Sequence, residues 1–169
     1  MTATPDLSTP QLASPDLLRS AFRRHAAGVA VITANSGAGP VGFTATSLTS
    51  VCAEPPLVSF VINTAGSSWP TVSEVNHVGV HILGEHQQEL AATFARRGAD
   101  RFAAPRTWCE GPKGVPVLDN VLAWLVCRTV ARVPAGKHRI VLAELVLGSL
   151  AAPGRPLLYH QGRFNRLRD

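Results

Sequence analysis

Hydroxyl side chains gathered between residues 44 and 50 are the first feature of this sequence that could do chemistry. Five of the seven residues from Thr44 to Ser50 carry a hydroxyl group, between two apolar runs and ahead of Pro55-Pro56. Hydroxyls and backbone N–H groups at a strand end can bind the phosphate and ring edge of a nucleotide without a fixed positive charge. Because threonine also favours strands, the composition alone fits an ordinary strand and loop equally well.

Other motifs argue against several kinds of site. Residues 37–42 match the G-x-G-x-x-G dinucleotide pattern, but a strand-like sequence follows where that pattern requires a helix, so a hairpin turn is expected. His77 and His81 share one face of a predicted strand, yet no third ligand stands at a useful spacing, and no metal site is predicted. Ser47 and Ser50 lie in no nucleophile elbow, so hydrolysis is not expected.

The order of residues around the hydroxyl run resembles the signature of the short-chain flavin reductases, which are the partners of two-component flavin-dependent monooxygenases. The segments that carry the resemblance are Gly42–Val51, Pro55–Val58, Phe94-Ala95, Gly136–Ile140 and Pro156–Tyr159. The resemblance extends from about Phe22 to Phe164, which is nearly the whole chain. It implies a mostly β protein with a few helices, a split antiparallel β-barrel that binds flavin as a homodimer.

The resemblance also implies which residues contact the flavin. These are Thr44, Ala45, Thr46, Ser47, Ser50, Asn63, Ser67, Ser68, Phe94, Ala95 and His138. In this arrangement the hydroxyl run lines the flavin ring and ribityl chain, and the flavin phosphate lies near Ser67 and Ser68. Those two serines also suit the start of a short helix, and the two roles are compatible. Arg96 and Arg97 suit a helix C-terminus, and one of them could also reach a flavin or nicotinamide phosphate.

His138 is the predicted catalytic residue. The family typically has Gly-Asp-His at this turn, whereas this chain has Gly136-Lys137-His138. A histidine at the mouth of the flavin pocket can hold the nicotinamide over the flavin, and an ordinary turn histidine is the alternative. Because Lys137 reverses a charge, nicotinamide affinity or the preference between NADH and NADPH is expected to differ. Thr46, Leu48 and Cys52 also depart from the commonest family pattern.

Composition restricts the class of protein. The chain has 169 residues, suited to one domain over residues 14–169 after a disordered tail at 1–13. Only 16% of the residues are charged against 46% hydrophobic, so a second subunit is expected to cover apolar surface. The formal charge of +5 favours a small anionic ligand, and the scattered arginines do not favour nucleic acid.

The sequence predicts a cytoplasmic protein without membrane contact. No apolar run is long enough to cross a bilayer, and the N-terminal residues lack the basic start and apolar core of a secretory signal. Cys52, Cys109 and Cys127 show neither the spacing of a zinc site nor a disulfide framework. Unpaired cysteines of this kind fit a reducing compartment.

Apolar periodicity and turn residues predict a chain of strands with few helices. A helix is expected to start at Ser14-Pro15-Asp16 and to end at Gly28, with one apolar face. Strands are predicted at residues 29–33, 41–47, 57–62, 77–83, 121–133, 138–150 and 157–159, and helices at 67–74 and 87–97. The strand at 57–62 is expected to be buried on both faces, and residues 99–117 to form a long loop. Strands joined mostly in hairpins favour a closed or partly closed antiparallel barrel.

Together with the resemblance, these patterns predict an NAD(P)H-dependent flavin reductase. It would transfer hydride from NADH or NADPH to FMN or FAD and supply the reduced flavin to a partner monooxygenase. The alternative is a flavin-binding carrier, electron-transfer protein, oxidase or oxygenase on the same fold that retains its flavin. A third interpretation, a dimeric binding module without a cofactor, requires the hydroxyl run to be a coincidence.

Overall fold

Antiparallel strands form the body of the protein in a computed structural model, which describes residues 10–103 and 106–168. The strands are β1 (Ala27–Gly28), β2 (Ala30–Asn35), β3 (Pro40–Ala45), β4 (Thr49–Cys52), β5 (Leu57–Asn63), β6 (His77–Ile82), β7 (Trp108–Glu110), β8 (Pro116–Leu118), β9 (Ala123–Ala135), β10 (His138–Leu150), β11 (Leu157–His160) and β12 (Arg163–Arg166). The helices are α1 (Pro15–Arg23), α2 (Trp69–Glu74) and α3 (Gln88–Ala95), with 3-10 turns at Glu85–Gln87 and Pro112–Gly114.

Seven of these strands form one curled antiparallel sheet in the order β3-β2-β6-β9-β10-β5-β4. Laid flat, strands about 4.8 Å apart would separate the two edges, β3 and β4, by about 29 Å. Residues 46–48 join these edges, and so short a link spans at most about 14 Å. The sheet must therefore curl until β3 approaches β5, and the rings of Phe43 and Phe60 lie with centroids 6.1 Å apart. The predicted mostly β, antiparallel fold with a partly closed barrel is confirmed.

The alternation of side chains along the strands builds two apolar cores. Ile32 of β2, Phe60 of β5 and Val141 of β10 are fully buried in the barrel interior, where Val72 brings α2 against them. Val31, which precedes Ile32 in β2, points to the opposite face of the sheet. There it packs with side chains from α3, β8 and β11, so the large sheet is covered on both sides in this region.

Residues 99–117 do not form the predicted irregular loop. They contain β7 and β8, which pair with each other, and Gly111, Pro112 and Gly114 occupy the turn between the two strands. Trp108 anchors this hairpin, because its ring lies 5.3 Å from that of Phe102 and its Nε1 donates a hydrogen bond to the Phe102 carbonyl. Residues 104–105 lie outside the described part of the chain.

Other details of the predicted elements are wrong. The first helix ends at Arg23 rather than Gly28, because Ala27 and Gly28 pair with β11, and no residue of its apolar face is buried. β5 is fully buried on one face only, since Phe60 and Ile62 point inward, whereas Ser59 and Val61 on the other face are half-buried. Of the predicted N-terminal tail, residues 10–13 carry no helix or strand, and residues 1–9 lie outside the described residues.

Candidate functional site

Two adjoining cavities lie where β3, β5 and the start of α2 meet. The smaller, of about 100 Å³, is lined by Phe43, Ile62, Asn63, Gly66, Ser67, Ser68 and Arg101. The larger, of about 260 Å³, is lined by Pro40, Val41, Gly42, Ser67, Ser68 and residues 99–102. Because they share Ser67, Ser68 and Arg101, the two cavities form one depression with an apolar wall and a polar end. We call it the seam cleft.

Ser68 fixes the polar end of the seam cleft. Its side chain is buried, and Oγ donates a hydrogen bond of 3.0 Å to the Gly42 carbonyl of β3. The prediction that this serine caps α2 through its hydroxyl is wrong, because its backbone is already helical (φ −85°, ψ −15°) and its hydroxyl bonds to β3 instead. Ser67 beside it is exposed, and its Oγ accepts a hydrogen bond from Arg101.

Arg101 supplies the positive charge at this end of the cleft. Its Nη1 donates to Ser67 Oγ at 3.2 Å, and its Nη2 donates to the Arg96 carbonyl at 2.9 Å. Its Nε is buried and has no hydrogen-bond partner among residues 10–103 and 106–168. Burial lowers the pKa of the guanidinium, which nevertheless stays charged at neutral pH. One donor of this half-buried cation is therefore left without a partner in the described part of the chain.

Sequence reasoning did not select Arg101. It offered Arg96 and Arg97 instead, which are exposed and line neither cavity, although the Arg96 carbonyl orients the Arg101 guanidinium. Arg101 lies 34 residues from Ser67 in sequence, so no local spacing connects the two. Only the fold of the segment after α3 brings them together.

Thr44 and Ala45 serve the packing of β3. Thr44 Oγ1 donates a hydrogen bond of 2.6 Å to the Ala91 carbonyl, which fastens α3 to this edge strand. The next side chain, Ala45, is buried in the barrel interior. The structure therefore places these two predicted flavin contacts beside the cleft and gives each a structural role.

The rest of the hydroxyl run lies along the seam between the two edges of the sheet. Ser47 Oγ accepts a hydrogen bond of 2.9 Å from the Val61 N–H, which joins the β3–β4 link to β5. Thr46 and Ser50 are exposed. The pairing of β4 with β5 is irregular between Ser50 and Cys52, so Val51 bulges outward and half of its side chain is exposed. The seam therefore contains both exposed hydroxyl groups and a strand whose pairing with its neighbour is irregular.

Phe94 supports the cleft from beneath. Its ring is buried in the second core, where it meets the edge of the Phe102 ring at 5.2 Å. A Cβ atom on Gly42 would lie 2.8 Å from Phe94 Cε1, so glycine is required for β3 to approach this ring. Ala95 is exposed at the end of α3 and lines neither cavity.

His138 lies beside the seam cleft, where β10 begins. It pairs directly with Asn63, the last residue of β5, and side chains of paired residues project on the same side of a sheet. Thr64 fixes the preceding turn, since its N–H and its Oγ1 both donate to the Lys137 carbonyl, at 3.1 and 3.0 Å. Asn63 lines the smaller cavity, whereas the exposed His138 lines neither.

Two arginines hold α2, the helix that follows the cleft. Arg132 of β9 donates from Nε to the Val72 carbonyl at 3.0 Å and from Nη2 to the Val75 carbonyl at 2.6 Å. Burial lowers the pKa of its guanidinium. At the other end of α2, the guanidinium carbon of Arg139 lies 5.8 Å from the centre of the Trp69 ring. These contacts position the segment that carries Ser67 and Ser68.

The two histidines of β6 have different surroundings. His81 is fully buried, and its Nδ1 lies 3.1 Å from the Val31 carbonyl. His77 is half-buried at the start of the strand. Within the described residues, no three His, Cys, Asp or Glu side chains gather where they could bind a metal ion. In the same part of the chain, no helix has the length and apolarity needed to cross a membrane.

The residues of the seam cleft fit a flavin nucleotide. A phosphate needs a cation and hydroxyl groups, which Arg101 and Ser67 present, and the buried Nε of Arg101 lacks a partner in the described chain. A planar ring needs an apolar wall and polar groups at its edge. Phe43 and Ile62 form such a wall, and Asn63, Ser67 and Ser68 supply polar groups around it.

Comparisons with known proteins agree with this geometry. Residues 22–168 match the family described as flavin reductase like domain. The NADH:FMN oxidoreductase of Rhodococcus qingshengii is 45% identical over 171 residues, which cover 97% of this chain and 86% of the relative. The reductase component of the 4-nitrophenol 4-monooxygenase/4-nitrocatechol 2-monooxygenase of Rhodococcus opacus is 38% identical over 148 residues, which cover 86% and 77%. The structure of the NADH:FAD oxidoreductase SgcE6 of Streptomyces globisporus C-1027, in complex with NAD and FAD fragments, matches with a TM-score of 0.86 at 29% identity, covering 94% of this chain and 98% of that chain.

The fold is that of flavin reductases of known structure, and the chain belongs to the flavin reductase-like domain family. The resemblance carried by the hydroxyl run and the later motifs is therefore confirmed. So is the enzyme class, an NAD(P)H:flavin oxidoreductase that uses flavin and nicotinamide nucleotides.

Proposed function

We propose that this NAD(P)H-dependent flavin reductase binds FMN in the seam cleft and takes hydride from NADH. The observation that carries the proposal is the guanidinium of Arg101 beside Ser67 and Ser68, with one buried donor left for a phosphate oxygen. Phe43 and Ile62, which line the smaller cavity, would then support the ring. Thr46 and Ser50, which are exposed along the adjoining seam, would approach its edge. Bound flavin supplies the hydride acceptor, and the protein supplies orientation and the exclusion of water.

His138 would orient the nicotinamide. It is exposed, it pairs with a residue of the cleft, and its turn is fixed by the two hydrogen bonds of Thr64 to the Lys137 carbonyl. An imidazole held at the rim can donate a hydrogen bond to the nicotinamide or its ribose, and hydride transfer depends on such positioning. Lys137 beside it would attract a negatively charged nucleotide.

A shallow cleft favours a flavin that is exchanged rather than retained. Both cavities of the cleft, of about 100 and about 260 Å³, are partly open to solvent, and Ser67, which lines both, is exposed. A flavin in this cleft would stay partly exposed and could leave after reduction. This supports the reductase over a carrier or oxidase that keeps its flavin. Release of the reduced flavin also suits a monooxygenase partner, which the Rhodococcus opacus relative serves.

A second copy of the chain would cover an apolar face of the large sheet. Ile140 of β10 pairs with Val61 of β5 on one side and Val133 of β9 on the other, so the three side chains form a row. Ile140 and Val133 are 39% and 49% exposed, which is high for β-branched aliphatic side chains. The three cysteines are free thiols, which supports a cytoplasmic location. The family match over residues 22–168 supports a single domain.

The test is oxidation of NADH and of NADPH by purified protein, with FMN, with FAD and without flavin. Flavin-dependent oxidation that is fastest with NADH and FMN is the expected result. Faster turnover with FAD or NADPH would correct the cofactor assignment. Protein that keeps a flavin spectrum after desalting and does not reduce added flavin would contradict the reductase proposal and favour the flavin-retaining alternative.

A further inference from the structure

Most of the protein's net positive charge lies in two segments that are far apart in sequence. Residues 15–28 and 157–169 contain six of the sixteen basic side chains and two of the eleven acidic ones. Their combined net charge is +4, against a formal charge of +5 for the whole chain. The remainder of the chain, which forms the seam cleft, is close to neutral.

The fold brings these two segments together. Ala27 of β1 pairs with Tyr159 of β11, and the Gln161 N–H donates a hydrogen bond of 3.0 Å to the Arg23 carbonyl at the end of α1. A cleft of about 300 Å³ between α1 and the β11–β12 turn is lined by Arg19, Phe22, Arg23, His25, Tyr159 and His160, with Gln161 and Gly162. We call the surface formed by α1 and the sheet β1-β11-β12 the arginine face. Its exposed arginines are Arg19, Arg23, Arg24, Arg163, Arg166 and Arg168.

The charges of the arginine face are available to a partner. Its ion pair between Arg19 and Asp16 measures 2.8 Å, but the two side chains are 73% and 90% exposed, so the pair is weak. Apolar side chains lie among the arginines, since Leu18 is 61% and Phe22 is 64% exposed. The Phe22 ring stacks on His25 with centroids 5.8 Å apart. Aromatic residues and arginine together are typical of protein–protein interfaces.

We propose that the arginine face docks an acidic, partly apolar surface of another protein. Resting on the proposed function, this partner is the oxygenase that receives the reduced flavin. Guanidinium groups bind carboxylates through paired hydrogen bonds, and the exposed Leu18 and Phe22 need an apolar counterpart that a nucleic acid backbone does not offer. A symmetric contact between two copies would bring two surfaces of net charge +4 together, so a second copy is expected instead on the face of the large sheet that carries Val61, Val133 and Ile140.

The experiment measures binding of a labelled amphipathic helix made of glutamate and leucine, by fluorescence anisotropy at several salt concentrations. The variant Arg23→Glu/Arg163→Glu reverses two charges of the arginine face. Its matched control, Arg106→Glu/Lys113→Glu, makes the same charge change at two exposed positions elsewhere. We expect salt-dependent binding that weakens on the order of tenfold in the first variant and less than about threefold in the control.

Three results would overturn the proposal. Equal loss of binding in both variants would mean that only overall charge matters. Tighter binding of a DNA duplex or of phosphatidylglycerol vesicles at the same salt concentration would assign the face to nucleic acid or to a membrane. A changed oligomeric state of Arg23→Glu/Arg163→Glu would assign it to a second copy. NADH oxidation with free FMN, expected to be unchanged in both variants, is measured alongside; its absence in the unmodified protein would contradict the proposed function while leaving the docking result standing.

Discussion

Protonation of His81 is expected to destabilise the fold at mildly acidic pH. The Val31 carbonyl can only accept a hydrogen bond, so the Nδ1 atom of His81 carries the proton and donates to it. Its Nε2 atom is then an unprotonated nitrogen, buried without a hydrogen-bond partner in the described chain. A proton taken up there would create a buried cation, and burial penalises the charged form.

The magnitude follows from the two pKa values. Burial lowers the pKa of His81 from 6.5 to about 4, so the unfolded chain takes up the proton first as the pH falls. The contribution of neutral His81 to the free energy of unfolding is therefore fully present above about pH 6.5. It is lost progressively as the pH falls to about 4. The gap between the two values is worth about 3 kcal/mol, at about 1.36 kcal/mol per pH unit. Domains of this kind are stable by about 5 to 15 kcal/mol, so the loss is a large fraction.

Urea unfolding at several pH values between about 7 and 4.5 measures this effect. His81→Asn keeps an N–H donor near Val31 and cannot titrate, so it is less stable than the unmodified protein at neutral pH but loses less stability on acidification. His86→Asn is the matched control; it removes the contact of an exposed imidazole with the Asn120 carbonyl, and its stability is expected to change with pH as that of the unmodified protein does. Parallel loss of stability in the unmodified protein and in His81→Asn would refute the reasoning.

Substitutions of Arg101, His138 and Arg132 give three further predictions. Arg101→Gln is expected to raise the KM for flavin about tenfold and leave the KM for NADH unchanged, with Arg97→Gln as the control; equal effects of the two would contradict a phosphate contact. His138→Ala is expected to weaken nicotinamide use about ten- to a hundredfold with flavin binding nearly intact, and unchanged kinetics with NADH and NADPH would exclude that role. Arg132→Met removes two hydrogen bonds to α2 and is expected to cost about 2 kcal/mol in urea unfolding and to raise the KM for flavin more than that for NADH. A loss below about 0.5 kcal/mol would contradict the anchoring role of Arg132.

Long elements with their own periodicity were predictable from the sequence. The hairpin of β9 and β10 lies within two residues of its predicted bounds, because two long segments rich in apolar residues and the turn at Gly136 between them are local signals. β4 and β12 were not predicted as strands. Each has four residues, and they become strands because β5 and β11 supply hydrogen-bonding partners. That partnership is tertiary, so it leaves little trace in the local sequence.

The residues of the candidate site also differ in whether the local sequence could identify them. Ser67, Ser68 and Asn63 were selected from sequence and do line the cleft, because they follow a strand end that the sequence marks well. The hydrogen bond from Thr44 to the Ala91 carbonyl could not be foreseen, since it depends on how α3 packs on the sheet. Arg101 was missed for the same reason.

The bulge in β4 has a consequence for solubility. A strand at the edge of a sheet offers unpaired N–H and C=O groups, and another copy can add to them and begin a fibre. β4 is only four residues long, its pairing is interrupted at Val51, and Pro55-Pro56 follows, where no backbone N–H exists to extend a ladder. The short strand, its bulge and the two prolines therefore all disfavour the addition of another copy to this open edge.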